Sequence, residues 1–231
     1  MSKKVIADER WISRKIRDEH FDNVLFDNLV FQSMQFENCS FTRCQFKNSY
    51  IGVGVNYKNC HWNHCKFTGK YSAFGRPATF SGCTFNQVFI RSAFMQGVTF
   101  SECRFSGRFQ SLIFYGTDTI VEPTIFNSVD LSEVELINVD FRCGIDFSSM
   151  TLPRFGVRIF HNPDGSFSKQ LREVAQTLPK DAQIPISILG SEFYDKQNTI
   201  IFETALLSNF LRSNDSRLVF ERIASNFEVA A

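Results

Sequence analysis

Phe21-Asp22-Asn23-Val24-Leu25-Phe26-Asp27-Asn28-Leu29-Val30-Phe31-Gln32-Ser33-Met34-Gln35-Phe36-Glu37-Asn38-Cys39-Ser40-Phe41-Thr42-Arg43-Cys44-Gln45-Phe46 sets six aromatic rings at a strict spacing of five. Two residues before each later ring stands a small or medium apolar residue: Val24, Leu29, Met34, Cys39 and Cys44. The two residues after a ring are mostly polar, and Asn recurs in the second, at Asn23, Asn28, Asn38 and Asn48. A period of five is neither the 3.6 of a helix nor the 2 of a flat strand. It demands a backbone that turns a corner every five residues and repeats an inward position on each side. Fixed-period self-similarity of this kind marks a solenoid.

Working outward, the pattern slips by one residue near Gly52-Val53-Gly54 and restarts at Tyr57, Trp62 and Phe67. An excursion from Gly69 to Pro77 precedes Phe80, Phe85, Ile90, Met95, Phe100 and Phe105. Matches weaken through Tyr115 and Ile120, recover at Phe126, Leu131, Leu136 and Phe141, and end near Ile145 and Met150. The corners need residues that tolerate positive φ, which suits Gly69, Gly82, Gly97, Gly107 and the recurrent Asn.

The register of a small residue, a polar one, Phe or Leu, then two polar residues resembles the pentapeptide-repeat family over about 130 of the 231 residues. The resemblance implies a mainly β solenoid: a right-handed quadrilateral β-helix, four pentapeptides to a coil, with the rings inside. Six to seven coils at ordinary strand spacing give a rod of roughly 30 Å. The boundaries that follow are an N-terminal cap over 1–20, the β-helix over 21–153 and a C-terminal, mostly helical module over 154–231.

The chain carries 27 Phe, which the repeat explains, and no apolar run long enough to span a membrane. The start, through Arg10, has no apolar signal core, so a cytoplasmic protein is expected. Seven cysteines, none in a CxxC pair, argue against a disulfide framework. Cys39, Cys44, Cys60, Cys65, Cys83 and Cys103 occupy the small inward position, and Cys143 does too if the last coil is framed on Ile145. They read as small hydrophobes stacked between coils. Cys60-His61-Trp62-Asn63-His64-Cys65 holds four candidate ligands, but the period sends both cysteines inward and the histidines elsewhere, whereas zinc needs ligands converging on one point. Neither a metal nor a cofactor is expected.

Residues Asp8 to Arg17 suit a short capping helix with Trp11, Ile12, Lys15 and Ile16 along one side. Within the repeat, residues 21–116 carry nine Lys/Arg against four Asp/Glu, while 117–153 carry only Arg142 against seven acids. Those acids are Asp118, Glu122, Asp130, Glu133, Glu135, Asp140 and Asp146, and single-sign surfaces steer partners of opposite charge. The excursion displays Lys70, Tyr71, Phe74 and Arg76 on a loop leaving a rigid wall, a usual place for function. In the C-terminal segment, Val157 to Phe160 reads as a last strand and Phe167 to Leu178 as a helix with Ser166 as its cap. Ile184 to Leu189 reads as a short strand, and Thr199 to Leu211 and Ser216 to Phe227 as two further helices. Phe202, Leu206, Phe210, Phe220, Ile223 and Phe227 supply apolar faces that either cap the rod or form a homodimer.

No GxSxG, HExxH or phosphate loop is present, and none of the four His has an orienting partner in sequence, so no enzyme is expected. What remains is protein binding. Some proteins of the family that the repeat resembles look like duplex DNA, bind DNA gyrase or topoisomerase IV, and protect it from quinolones or peptide toxins. That resemblance makes a type II topoisomerase the first partner to consider, with Asp118, Glu122, Asp130, Glu133 and Glu135 as the contact. The alternative is a rigid interaction scaffold (an immunity, effector or regulatory protein) binding through the C-terminal helices or the 69–77 loop. Nucleic-acid binding by the basic N-terminal section is weaker, since stacking platforms need exposed rings and these point inward.

Overall fold

In the computed structural model, which describes residues 3–69, 74, 77–93, 95–117 and 121–229, the chain winds into a β-solenoid of about seven coils. Its strands pair in parallel across coils, and the pairing partner lies 20 residues away in the regular part: Phe21 faces Phe41 and Phe26 faces Phe46. Four faces result. Lys4–Ala7, Val24–Asp27, Gln45–Lys47 and Lys66–Thr68 stack on the first. Arg10–Ile12, Val30–Gln32 and Tyr50–Val53 stack on the second. Lys15–Arg17, Gln35–Glu37, Val55–Lys58, Ala78–Ser81, Val98–Ser101 and Ile125–Asn127 form the third. His20–Asp22, Ser40–Thr42 and His61–Asn63 form the fourth. Thr84–Arg91, Arg104–Tyr115 and Val129–Arg142 run unbroken through corners and join the fourth face to the first.

The period of five works because every fifth residue adopts the left-handed conformation. Asn23, Asn28, Ser33, Asn38, Arg43 and Asn48 all have φ near +50°. That region costs an L-residue roughly 1–2 kcal/mol, least for Asn and Asp, whose side chains bond locally. Each corner N–H is satisfied by the next coil, as where Asn23 N donates to the Thr42 carbonyl at 2.9 Å. Inside, rings stack in columns. Phe21, Phe41, Trp62, Phe85 and Phe105 follow one another with centroids 4.3–5.4 Å apart and nearly parallel planes.

The inward cysteines do more than fill space. Cys44 Sγ donates to the carbonyls of Thr42 and of Phe21 in the coil before, both at 3.4 Å, and Cys103 repeats this with Ser101 and Phe80. Ser49 uses its hydroxyl the same way, toward Lys47 and Phe26. The small position therefore answers the corner carbonyls. Neighbouring thiols also meet: the thiols of Cys103 and Cys60, together with burial, push the Cys83 thiol far up. Cys143 departs from this ladder. It is half-buried with φ +58°, a corner conformation, while Ile145 is buried.

The capping helix expected over 8–17 does not form. Lys4–Ala7, Arg10–Ile12, Lys15–Arg17 and His20–Asp22 are strands and make one more coil. Ile6, Trp11 and Ile16 continue the spacing of five backward from Phe21 and pack on the core, while Ile12 and Lys15 point outward. Farther on, a turn shortened at Gly107 puts Phe109, Leu112 and Phe114 inside, so Tyr115 lies on the outer side and Ile120 falls outside the described residues.

Residues 157–224 build a second core at the end of the rod. Val157–His161 pairs antiparallel with Thr199–Glu203, not with the last coil. Helices α1 (Ser166–Ala175), α2 (Lys180–Leu189), α3 (Thr204–Phe210) and α4 (Asn214–Ala224) surround that strand pair. The expected strand at 184–189 is the second half of α2, where Ala182, Ile186 and Leu189 are buried at helical spacing. The single helix expected over 199–211 splits, because the β-branched run Thr199-Ile200-Ile201 takes the strand. Asn162, not Ser166, caps α1: its Oδ1 accepts from the N–H of Phe167 and Ser168, and its Nδ2 donates to the Tyr194 and Gln197 carbonyls. The module docks onto the last coil through Glu203, whose Oε1 accepts from Val139 N at 2.6 Å, and through Tyr194, whose hydroxyl donates to Asp140 at 2.8 Å.

One ion pair makes this module acid-sensitive. Burial raises the Asp195 carboxyl, but the Arg172 guanidinium and the Ser168 hydroxyl outweigh it and hold the group below its usual range. A folded value below the unfolded value of about 3.9 means that the stabilisation is present above roughly pH 4 and is lost as the pH falls through the folded value. Helical ellipticity at 222 nm is expected to drop below pH 4. Asp195→Asn is expected to cost about 1–3 kcal/mol at pH 7 and to blunt that acid transition. An unchanged acid midpoint in the variant would show that other carboxylates govern it.

Candidate functional site

Where the last full coil meets the segment leading into the module, the surface folds in. Arg104, Asp130, Ser132, Glu133, Val134 and Glu135 line one side, and Arg154, Phe155 and Gly156 the other, around a groove of about 780 Å³. Two strands set its floor. Arg104–Tyr115 lies beside Val129–Arg142 with Arg104 opposite Asp130 and Arg108 opposite Glu135. Alternation turns Leu131, Val134 and Leu136 inward and leaves Glu133 and Glu135 outside. Phe155 stands over this charged floor at 83 % exposure. Gly156 follows with φ +74° and open space around it, so the segment turns away immediately after the ring.

The carboxylates are not a bare negative surface. Arg104 reaches Asp130 at 3.5 Å and Glu133 at 2.9 Å, and Arg108 reaches Glu135 at 2.6 Å. Asp140 pairs with Arg142 at 2.6 Å. Burial raises the Asp130 carboxyl, yet Ser132, Arg104 and Arg154 together hold it below the ordinary range, so it is charged at neutral pH. The separation of charge seen along the sequence therefore closes in space, since basic residues of one coil face acidic residues of the next. Exposed pairs of this kind add little stability, about 0–1 kcal/mol each, but they fix side chains in an alternating pattern that a partner meets.

Of the residues singled out from the sequence, Asp130, Glu133 and Glu135 come together in the groove. Glu122 is exposed and lies outside it. Lys70, Tyr71, Arg76 and Asp118 fall outside the described residues. Phe74 is not displayed. It is 1 % exposed, with its ring 4.8 Å from Phe67 and 5.8 Å from Phe80, so the excursion tucks an aromatic back into the core. Phe202, Phe220 and Ile223 are buried in the module's own core, and Leu206, Phe210 and Phe227 are half-buried. Arg104, Arg154 and Phe155 are the groove residues missed in the sequence. Pro153-Arg154-Phe155-Gly156 was the available signal: a Phe five residues past Met150, where the repeat ends, set between a Pro and a Gly. The described residues contain no cluster of His, Cys, Asp or Glu arranged to hold a metal. No described helix is long and apolar enough to cross a membrane.

No family model matches the chain, and no curated protein matches it. Among solved structures, the chain is similar to full-length QnrB1, a plasmid-mediated fluoroquinolone resistance protein, at 15 % identity over 66 % of this chain and 93 % of that one, with a TM-score of 0.25. Two trypsin-treated QnrB1 variants match at 15 % identity with TM-scores of 0.22 and 0.27, covering 61 % and 60 % of this chain and 92 % and 90 % of theirs.

Proposed function

We propose that this pentapeptide-repeat solenoid works without catalysis, as a rigid scaffold that binds another protein through the groove beside Phe155. The observation that carries this is an aromatic ring held almost fully in solvent above a floor of fixed, alternating charges. Exposed aromatics beside arginines are the residue types that dominate binding energy when a partner buries them. Folding gains nothing from leaving that ring in water.

A type II topoisomerase is the specific partner suggested by the repeat's resemblance to gyrase-modulating proteins. The groove carboxylates Asp130, Glu133 and Glu135 then act as an alternating surface, because Arg104 and Arg108 hold them. Gyrase supercoiling of relaxed plasmid, with and without a quinolone, tests it. Inhibition or drug protection is expected at micromolar protein or below, weakened at least tenfold by Phe155→Ser, a loss of about 1.4 kcal/mol or more. No effect on supercoiling removes the topoisomerase and leaves the scaffold. Binding by an identified partner that ignores both Phe155→Ser and Arg154→Glu removes the groove. A homodimer through Leu206, Phe210 and Phe227 is a separate proposal, and light scattering at high concentration decides it.

A further inference from the structure

On the first face, two coils from the groove residue Glu135, one aromatic ring points the wrong way for a core residue. Phe89 occupies the outward position just before the buried Ile90, and it is half-buried rather than enclosed. In the coils around it the same position holds Gln45, Lys66, Arg108 and Glu135. Lys66 is its pairing partner on one side and Arg108 on the other, each about one strand spacing of 4.8 Å away. Arg91 lies two residues along the same strand, about 6.6 Å on and facing the same way. Three exposed cations thus border a single ring on three sides. Arg108 shares its charge with Glu135. Lys66 and Arg91 have no acidic partner among the described residues. The other nearby carboxylate, Asp27, is held by Lys47 at 3.1 Å.

The geometry points to a second docking surface, made of Lys66, Phe89, Arg91 and Arg108, for a short acidic peptide segment that carries an apolar side chain between its carboxylates. The charge of the patch selects the sign of the partner. Its dimensions select the rest: alternate side chains of an extended peptide share a face, so an apolar residue with a carboxylate two positions to either side, each about 6.6 Å away, presents all three to the ring and to the cations about 4.8–6.6 Å from it. A side chain between them falls on Phe89, where removing water from the ring adds to the attraction. A nucleic-acid strand fits less well. There is one ring rather than a row, and a run of phosphates following the rod would reach Glu135, Glu133 and Asp130 within one further coil. The patch forms on a sheet face, so side chains and not backbone pairing make the contacts.

Fluorescence anisotropy on the full chain tests this with a labelled pentapeptide bearing two acidic residues on either side of a Phe. Its Asn/Gln counterpart and a labelled oligo-dT serve as comparisons. The acidic peptide is expected to bind at least about tenfold tighter than the amide peptide, and to weaken as salt rises from 50 to 200 mM, since exposed charges are screened. Lys66→Glu with Arg91→Glu is expected to lower its affinity tenfold or more, and Phe89→Ser about fivefold. These positions are at the surface, so circular dichroism should be unchanged. Phe155→Ser should leave the binding intact, which separates this surface from the groove. Equal binding of the amide peptide, indifference to charge reversal, loss with Phe155→Ser, or tighter binding of oligo-dT would each overturn the assignment.

Discussion

Phe41→Asp is expected to yield no soluble folded protein. Phe41 is fully enclosed, stacked between Phe21 at 4.9 Å and Trp62 at 5.4 Å, with Phe36 and Phe46 edge-on at 6.0 and 5.7 Å. Losing the ring alone costs about 3–5 kcal/mol. A carboxylate in its place must either stay charged without a cation, at several kcal/mol, or take up a proton at about 1.4 kcal/mol per unit of pKa shift. The sum reaches the whole stability of an ordinary domain, about 5–15 kcal/mol. Phe41→Leu is the control, at about 1–2 kcal/mol, because Leu is the alternative residue of this repeat position. Soluble fraction and far-UV circular dichroism read both. A soluble Asp variant with the native spectrum would show that the ring does not point inward.

Gly107→Ala is expected to lower the melting temperature by about 10 °C or more. Gly107 turns the corner between the fourth and first faces at φ +112°, and a Cβ there would stand 2.2 Å from the Val88 carbonyl oxygen and 2.6 Å from its nitrogen. Both are backbone atoms of the neighbouring coil, so no side chain can swing aside. The coils must part, which places the cost above roughly 4 kcal/mol, and a chain of this length loses about 2–4 °C per kcal/mol. Gly156→Ala makes the comparison. Its φ is also positive, at +74°, but nothing lies within 4 Å, so only the conformational cost of about 1–2 kcal/mol applies. Equal melting temperatures for the two variants would mean that the coils give way easily.

The repeat made the interior legible because one physical demand, a ring inside every fifth residue, recurs without tertiary help. Phe26, Phe36, Cys39 and Trp62 were readable on that basis alone. The same rule covers Ile6, Trp11 and Ile16, where aliphatic side chains and a helix-compatible spacing of Trp11, Lys15 and Ile16 obscured it. The C-terminal module has no such repetition, and its helix and strand limits depend on packing, as Thr199-Ile200-Ile201 shows. The groove was half legible. Asp130, Glu133 and Glu135 stood out as charges, but their arginines did not. Arg104 and Glu133 lie 29 residues apart and Arg108 and Glu135 27 apart, because extra residues lengthen that coil beyond twenty. Counting by twenties passes over both pairs. Phe155 falls five residues after Met150, so counting by fives would turn it inward, and its exposure is not readable from the period.

The left-handed corner every five residues has a consequence for how such a chain can change. An insertion of one residue disturbs register locally, and the stretch around Gly52 to Gly54 absorbs one with a break in pairing between Tyr50 and Val53. An insertion of five hands every later side chain to the adjacent wall, a quarter-turn about the axis. An insertion of twenty keeps each wall intact and slides it about 4.8 Å further along. The rod therefore behaves as a vernier, with angle set by fives and distance by twenties. The surface around Phe89 and the groove at Phe155 can be re-aimed or respaced by copying short stretches of chain, without inventing a new core.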